Sequence, residues 1–508
     1  MNGFGRFLLS TASALALALG GAAALAQASA DNFIVAIAEE PDTLDLTSTA
    51  HAPGARVSME NVTEALWRTN TDGEVVSGLA SFELAEDGMS ILFHLRQGVM
   101  FHSGDEFTAE DVVFSHERMT ERAPQHMRRA RNVDRIEIID RYTVRFVFNR
   151  PDAGMLPARG YSIASRAYFE RVGEDQFVRH PVGTGPYEFV SYTPGTSLVL
   201  RRFADYWGDA PQVENATFRF VREASTRVSQ LQTGEVGMTM DVPYNDVAGL
   251  EGAGFGTAFL AAHPTVGIQF HNTNPDVPWH DPRVRRAIAH AIDRQAIIDG
   301  LLQGVPELSE TVTEGELGYD PAIEVNAYDP ARARALLAEA GYPNGFDMPF
   351  YIWGGAFAGL RETAEAVILY LSQVGINAQA QTLEASPFLT MLREVSGTPD
   401  ARYVGISAMP WANQSDPTEA LTIAFYSRSP FAPYRNPELD TLIAQAGSLI
   451  DPAPRGEVLR QAFGLMHADT AIVPLWNFVA VYAMAEGVGF TPTQKWFPVV
   501  QLRDVTFD

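Results

Sequence analysis

The clearest alternation of apolar and polar positions falls in residues 85–119. Ile91, Phe93 and Leu95 occupy alternate positions, which predicts a strand with one buried face. A turn follows, and the spacing of the apolar positions then changes from the two-residue period of a strand to the longer period of a helix. A hydroxyl and two carboxylates at 108–111 stand where a helix would begin, because they can satisfy its free N–H groups. The segment is therefore predicted to be a strand, a turn and a helix.

Similar signals recur along the rest of the chain. Strands are predicted at 33–37, 143–148 and 198–203, and a helix at 61–67. Four helices are predicted to begin at a capping side chain followed by proline, whose missing N–H is harmless in a first turn. These pairs are Asp281-Pro282, Asp329-Pro330, Asn436-Pro437 and Asp451-Pro452. The alternation of strands and helices predicts mixed α/β lobes with crossover connections.

Composition limits the classes of protein to consider. The 508 residues are too many for one hydrophobic core, so two or three domains are expected, and 46% apolar residues are typical of a globular protein. A net charge of −25 argues against a nucleic-acid partner. The basic run 118–131 is expected to be a solvated face, with an acidic partner as the alternative.

The supply of reactive side chains is also limited. Lys495, in the setting TPTQKWF, is the single lysine, and there is no cysteine. A Walker-type phosphate loop, a Schiff-base lysine, thiolate metal sites and disulfides are therefore excluded. We find no HExxH, GxSxG or SxxK pattern, and pairs such as Glu39-Glu40 are explained by turns. We predict a non-enzyme without cofactor or metal; a site made from scattered histidines and a secreted enzyme stay open as alternatives.

Residues 1–30 have the pattern of a secretory signal peptide. Arg6 supplies the positive start, residues 7–25 the apolar stretch, and small residues a cleavage pattern ending near Ala26 or Ala30. A membrane anchor is the weaker alternative, because the stretch is rich in alanine and glycine and no second apolar span follows. We expect an exported protein of the periplasm that is not itself embedded in the membrane.

Residues 87–118 follow the order dGxxxxFxLRxGVxFHxGxxFTAEDVVxSxER. This order resembles the large periplasmic solute-binding proteins of the peptide and nickel ABC-transporter family, bacterial extracellular solute-binding protein family 5, which includes dipeptide- and oligopeptide-binding proteins. Similar blocks occur at residues 39–45, 181–187, 205–208 and 281–298, so the resemblance covers nearly the whole exported chain. An unrelated strand-turn-helix unit is the alternative.

The resemblance implies a two-lobed α/β fold of the type II periplasmic binding protein kind, with a small domain inserted in the first lobe. Lobe I is expected to be discontinuous, from residues 31–70, 182–272 and 480–508. Residues 71–181 would form the small domain and 273–479 lobe II. The implied function is capture of a small solute by hinge closure, followed by docking on an inner-membrane ABC permease and its ATPase. We expect a monomer.

The resemblance also bears on the ligand. In peptide-binding relatives, an aspartate in a WxADYxDP stretch pairs with the free amine of the ligand. The matching stretch here is residues 411–417, in which Asn413 replaces that aspartate. Because a buried ammonium without a counter-charge is costly, we predict a neutral polar or aromatic ligand such as a glycoside or an oligosaccharide. A dipeptide or oligopeptide is the alternative.

Six residues are predicted to contact this ligand. They are Trp411, Asn413, Gln414, Trp353, Thr49 and His51. The tryptophans offer indole faces for stacking, and the two amides suit hydroxyl or carbonyl groups. The threonine and histidine belong to the loop that the resemblance brings to the cleft. Trp476 could also line the cleft, and core packing is the alternative for all three tryptophans.

Overall fold

The computed structural model describes residues 29–47, 53–70, 74–122, 132–152, 155–156, 160, 162–312, 314–323, 326–354, 357–409, 416–493 and 498–508. The predicted targeting segment lies outside these residues, apart from residues 29 and 30. Among the helices in the described ranges, none combines the length and the apolar character needed to cross a bilayer.

Two strands are much longer than the others and run through the middle of the molecule. These are β12 (Gly256–Phe270) and β16 (Ile472–Met484). The remaining strands are β1 (Asn32–Ile37), β2 (Trp67–Thr69), β3 (Val75–Ser77), β4 (Ala80–Leu84), β5 (Ser90–Leu95), β6 (Val133–Asp140), β7 (Thr143–Phe148), β8 (Tyr187–Thr193), β9 (Ser197–Arg202), β10 (Asn215–Phe220), β11 (Met238–Met240), β13 (Phe346–Trp353), β14 (Ile376–Leu383), β15 (Val404–Met409), β17 (Val488–Phe490) and β18 (Val505–Phe507).

The helices lie between the strands, as the alternating pattern predicts. They are α1 (Pro53–Met59), α2 (Ala109–Arg122), α3 (Arg166–Val172), α4 (Glu174–Arg179), α5 (Ala224–Gln232), α6 (Tyr244–Gly252), α7 (Pro282–Ala291), α8 (Arg294–Leu301), α9 (Pro330–Glu339), α10 (Leu360–Gln373), α11 (Ala385–Gly397), α12 (Thr418–Ala424), α13 (Pro437–Ser448) and α14 (Pro452–Asp469). Short 3-10 turns occur at Pro278–His280 and Leu502–Asp504.

One ten-stranded sheet, in the order β14-β13-β15-β12-β16-β11-β1-β10-β9-β8, organises the fold. Its first half is β1 and β8–β11, and its second half is β13–β15. The antiparallel pair β12 and β16 belongs to both halves, and its register shifts between Ala261 and Thr265. Since irregular pairing weakens a ladder locally, this pair is the natural place for the halves to pivot.

A smaller four-stranded antiparallel sheet, β4-β5-β7-β6, carries the segment that opened the sequence analysis. In β5, Ile91, Phe93 and Leu95 are buried, which confirms the predicted strand and its buried face. Helix α2 begins as predicted, with the Asp111 carboxylate accepting the Thr108 N–H at 2.9 Å. A separate core of apolar residues drawn from positions 66–163 underlies this sheet.

The four proline signals also predict their helices correctly. Helices α7, α9, α13 and α14 each begin at the proline, and the preceding side chain accepts a hydrogen bond from a first-turn N–H. The strands predicted at 143–148 and 198–203 are confirmed as β7 and β9, the second shifted by one residue. These elements depend on local signals, and so local reasoning finds them.

The helix predicted at 61–67 is wrong, because helix α1 has already ended at Met59 and β2 begins at Trp67. Asn61 turns the chain here: its Nδ2 donates to the Ser58 carbonyl oxygen at 3.0 Å and to that of Val500 at 2.8 Å. A partner 439 positions away along the chain therefore replaces the helical hydrogen bonds.

Glu64, in the same turn, contacts two of the blocks on which the resemblance rests. Its carboxylate accepts hydrogen bonds from Thr184 Oγ1 at 3.0 Å, Tyr206 OH at 3.0 Å and Trp207 Nε1 at 2.8 Å. Burial raises the pKa of Glu64, and these three donors lower it in part. The side chain thus ties the start of the chain to residues 181–187 and 205–208.

The basic run also differs from its prediction. Arg118 is 5% exposed and lies in an ion-pair network, with Nη2 2.6 Å from Asp45 Oδ2 and Nη1 2.7 Å from Glu174 Oε2. Arg122 pairs with the same glutamate at 2.9 Å. Arg118 is therefore not part of a solvated face; residues 123–131 lie outside the described residues.

Candidate functional site

Two sets of strand ends converge at the middle of β12 and β16. In the first half, Met240 at the end of β11 pairs with Tyr482, and β1 runs parallel to β11. In the second half, Met409 at the end of β15 pairs with Thr265, and β13 and β14 run parallel to it. The carboxyl ends of both sets thus point to one place, where α/β sheets commonly bind ligands.

Carboxylates follow several of these strand ends and form what we call the interlobe acidic group. Its members are Glu39 and Asp42 after β1, Asp241 after β11 and Glu384 after β14. Burial, followed by the charges of Asp241, Asp42 and Glu384 in that order, raises the pKa of Glu39 to about 7. Since Glu384 belongs to the second half, this repulsion indicates that carboxylates of the two halves lie near one another.

The backbone fixes two members of this group. Asp241 has φ 55°, in the left-handed region that aspartate tolerates better than most residues, and its carbonyl oxygen accepts from Arg227 Nη2 at 3.0 Å. Burial raises the pKa of its carboxyl, which the Arg227 charge offsets in part. Glu384 precedes helix α11 without making a side-chain cap hydrogen bond. Asp241 thus has Arg227 as a partial counter-charge, and Glu384 is not used as a helix cap.

The pKa of Glu40, beside Glu39, shifts in the opposite direction. Its carboxylate accepts hydrogen bonds from Tyr192 OH and from the Gly195 N–H, and these lower its pKa. Glu39 and Glu40 are both predicted from the sequence to be turn residues. Glu40 is bonded to Tyr192 near the end of β8 and to Gly195 in the turn after it, whereas Glu39 has other carboxylates as neighbours.

The halves also touch through aromatic residues beside the acidic group. Gly359, which precedes α10 of the second half, lies against the Tyr244 ring on α6 of the first half: a Cβ added at Gly359 would be 3.1 Å from that ring. Tyr244 OH donates to the Val479 carbonyl oxygen at 2.9 Å, inside β16. Trp476 is 1% exposed and its Nε1 donates to Thr363 Oγ1 at 3.1 Å. Trp476 is thus a core residue, the alternative that the sequence analysis kept open.

Trp353 is the one predicted ligand contact that lies within the described residues. It ends β13, at the converging strand ends, but only 8% of it is exposed. Phe388 stacks on it at 5.2 Å between ring centroids, and Phe357 meets it edge-on at 5.6 Å. Its Nε1 is buried without a hydrogen-bond partner in the described part of the chain. Contact between Trp353 and the ligand stays a prediction.

The other predicted contacts, Trp411, Asn413, Gln414, Thr49 and His51, lie outside the described residues. The residues that flank them are well fixed. Asp416 Oδ2 lies 2.9 Å from Arg455 Nη2 and Oδ1 accepts from the Thr418 N–H at 3.0 Å, so this aspartate is engaged within the fold. Thr47, before the other segment, belongs to the Arg118 network through a 3.0 Å hydrogen bond.

No set of three or more histidine, cysteine, aspartate or glutamate side chains in the described ranges is placed to hold a metal ion. His102, from the FHxG block, forms a hydrogen bond with residues 181–187: its Nε2 lies 2.8 Å from the Gly185 carbonyl oxygen. Burial lowers the pKa of His102 to about 4, so the ring is neutral. This histidine therefore has a structural role.

Comparison with known proteins agrees with this geometry. The family model for bacterial extracellular solute-binding proteins, family 5 Middle, matches residues 74–432. The glutathione-binding protein GsiB of Escherichia coli O1:K1 / APEC is 29% identical over 423 residues, which is 78% of this chain and 79% of the relative.

Solved structures show the same fold. The periplasmic binding protein DppA of Helicobacter pylori, in complex with the peptide STSA, has a TM-score of 0.82 and 24% identity, covering 94% of this chain and 98% of the other. A dipeptide-binding protein from Pseudoalteromonas sp. SM9913, in complex with Met-Leu, has a TM-score of 0.82 and 21% identity, with 94% and 100% covered. The fold is therefore two-lobed, and we refer to the first half of the large sheet as lobe I and to the second half as lobe II.

Family 5 is a family of binding proteins that act outside the inner membrane with ABC permeases and ATPases. The match to its model covers most of the chain, and the fold agrees over nearly all of it. This chain belongs to the bacterial extracellular solute-binding proteins of family 5, and it is the periplasmic solute-binding component of an ABC importer.

Proposed function

We propose that the protein captures a short peptide, or a peptide-like compound with a free amino group, between its two lobes and delivers it to the permease. The observation that carries the proposal is the interlobe acidic group, in which Glu39 and Asp241 of lobe I face Glu384 of lobe II. The ligand ammonium would lie among these carboxylates. Catalysis has no part in this function.

Relatives support a peptide over the predicted glycoside. GsiB is a glutathione-binding protein, and the two solved structures hold the peptide STSA and the dipeptide Met-Leu. None of these three relatives supports a glycoside or an oligosaccharide. The peptide alternative therefore fits this chain better than the neutral ligand inferred from Asn413.

Electrostatics explains how a peptide amine is bound without an aspartate at position 413. Several carboxylates held close together repel one another, and this repulsion helps to raise the pKa of Glu39 to about 7. An ammonium among them relieves the repulsion and restores the ionised form. The acidic group would thus supply the counter-charge that Asn413 lacks, from the two strand ends rather than from the 411–417 segment.

The same arrangement would couple binding to closure. Glu39, Asp42 and Asp241 belong to lobe I and Glu384 to lobe II, so a cation between them makes contacts that only the closed form completes. Without the cation, like charges on opposite lobes favour separation. A ligand shifts an equilibrium by its differential affinity for the two states, and the ammonium provides that difference.

A thermal-shift screen tests the proposal. Purified protein is heated with Met-Leu, STSA, glutathione, the N-acetylated forms of the first two, and a set of glycosides, because a bound ligand raises the melting temperature by mass action. Free-amine peptides are expected to raise it and their acetylated forms to have little effect. A shift produced by glycosides alone would overturn the proposal.

A further inference from the structure

A cavity of about 170 Å³ lies where lobe I meets the small four-stranded domain. It shares no lining residue with the interlobe acidic group. Its walls include three arginines, Arg68, Arg96 and Arg503, from three separate parts of the chain. Trp67 and Trp207 also line it.

Two of these arginines repel each other. The pKa of the Arg68 guanidinium is lowered, first by burial and then by the charge of Arg503, while Asp504 and Glu64 raise it in part. The Arg68 side chain, which is exposed, makes no hydrogen bond within the described ranges. Two neighbouring cations, one of them with unused donors, are stabilised by an anion placed between them.

Arg96 adds a third cation with donors to spare. Its Nε donates to the Gly78 carbonyl oxygen at 2.7 Å, and its guanidinium lies over the Trp207 ring, 4.5 Å from the centroid. These two contacts hold the side chain in place but engage only one of its nitrogens. A guanidinium fixed in this way is pre-organised to bind an oxyanion.

Nearby carboxylates balance these charges only in part. Glu64 forms an ion pair with Arg503, whose Nη1 lies 3.9 Å from Glu64 Oε1, but it also accepts three hydrogen bonds from neutral donors. Burial raises the pKa of Asp504, and a 2.6 Å hydrogen bond from Thr493 Oγ1 and the charges of Arg503 and Arg68 lower it in part. The pKa of Arg68 is lowered in spite of these carboxylates, so its guanidinium is not fully compensated.

We propose that this cavity binds a small oxyanion, either tetrahedral (phosphate or sulfate) or a carboxylate, held by Arg68, Arg96 and Arg503. Guanidinium groups bind such oxyanions in pairs of parallel N–H···O bonds, and the cavity volume suits one small ion or a short dicarboxylate. On a protein of net charge −25, a bound anion needs such a local concentration of cations. The proposal does not depend on the identity of the interlobe ligand.

Isothermal titration calorimetry tests it with phosphate, sulfate and succinate, each at constant ionic strength set by sodium chloride. We expect one site per molecule for at least one of the three anions, and their rank distinguishes a tetrahedral ion from a carboxylate. Arg68→Gln and Arg503→Gln are each expected to weaken binding about tenfold or more, because a charge-assisted pair is lost. Arg68→Lys keeps the charge without the bidentate geometry, and its affinity for the anion is expected to lie between those of the wild type and Arg68→Gln.

The matched control is Arg361→Gln, since Arg361 is 79% exposed on α10 and pairs with Glu365 at 3.2 Å. It is expected to bind as tightly as the wild type. Circular dichroism and the melting temperature without anion verify that each variant is folded. Wild-type protein that binds none of the three anions would overturn the proposal, whether or not a variant folds. Equal weakening in Arg68→Gln and Arg361→Gln would also overturn it, because the effect would then be a general one of charge.

Discussion

Replacing Arg118 with methionine tests the buried ion-pair network that ties the start of lobe I to the small domain. The side chains of Arg118 and Asp45 are 4% and 3% exposed, and their closest atoms are 2.6 Å apart. Methionine keeps much of the aliphatic stem and removes every guanidinium hydrogen bond. Oδ1 of Asp45 would still accept hydrogen bonds from the N–H and the hydroxyl of Thr47. Oδ2 would lose both of the hydrogen bonds that it accepts from Arg118.

The structure sets the size of the expected loss. Removing one partner of a buried pair costs about 3–5 kcal/mol, because the other charge stays buried. The second partner, Glu174, is 33% exposed and keeps Arg122, so its share is small. We therefore expect Arg118→Met to lower the free energy of unfolding by about 3 kcal/mol. Arg122→Met is the matched control: it breaks a pair with the same glutamate but is 48% exposed, and should cost less than about 1 kcal/mol.

Equilibrium urea unfolding of both variants, followed by tryptophan fluorescence, measures these losses. A double-mutant cycle with Asp45→Asn isolates the pair, and the two changes together should cost less than their sum. Equal losses in Arg118→Met and Arg122→Met, or a loss below about 1 kcal/mol for the first, would refute the reasoning that burial makes this pair important.

Two further predictions concern the site and the turn beneath it. Peptide affinity should fall as the pH drops from 8 to 6, because Glu39, with a pKa of about 7, takes up a proton that disfavours a cation. In calorimetric titrations, Glu39→Gln should flatten this dependence and Glu40→Gln should keep it; a slope unchanged in Glu39→Gln would contradict the assignment. Gly183→Ala should lower stability by about 1–3 kcal/mol or more in urea, because its Cβ would lie 2.0 Å from the Val62 carbonyl oxygen. Gly249→Ala in helix α6, with no atom within 4 Å of its Cβ, should not destabilise, and similar losses in both would remove the steric explanation.

Local signals in the sequence predict much of the fold. The alternation at Ile91, Phe93 and Leu95 and the capping residues before four prolines depend on near neighbours, and the structure has those elements. The helix prediction for residues 61–67 fails because Asn61 forms a hydrogen bond with Val500, a partner that no local pattern reveals. The prediction that Arg118 lies on a solvated face fails for the same reason, because its partners Asp45 and Glu174 are 73 and 56 positions away along the chain.

The site is harder to predict than the fold. Glu39 and Glu40 are adjacent and identical in type, yet one meets other carboxylates across the lobes and the other accepts hydrogen bonds from a turn. Only the direction and register of β1, β11 and β14 separate them. A sequence signal does exist, because Glu39, Asp241 and Glu384 each follow the end of a predicted or observed strand closely. Pairing those ends requires the sheet order, which the sequence alone does not give.

The most direct test of the central claim is a calorimetric titration of the protein with one peptide and with the same peptide acetylated at its amino group. With the free amine, we expect binding of one peptide per molecule. Acetylation should weaken it about thirtyfold or more, since a charge pair in a desolvated site is worth at least about 2 kcal/mol. Glu384→Gln should weaken the free peptide and leave the acetylated one unaffected. Equal affinities for the two peptides would contradict the account.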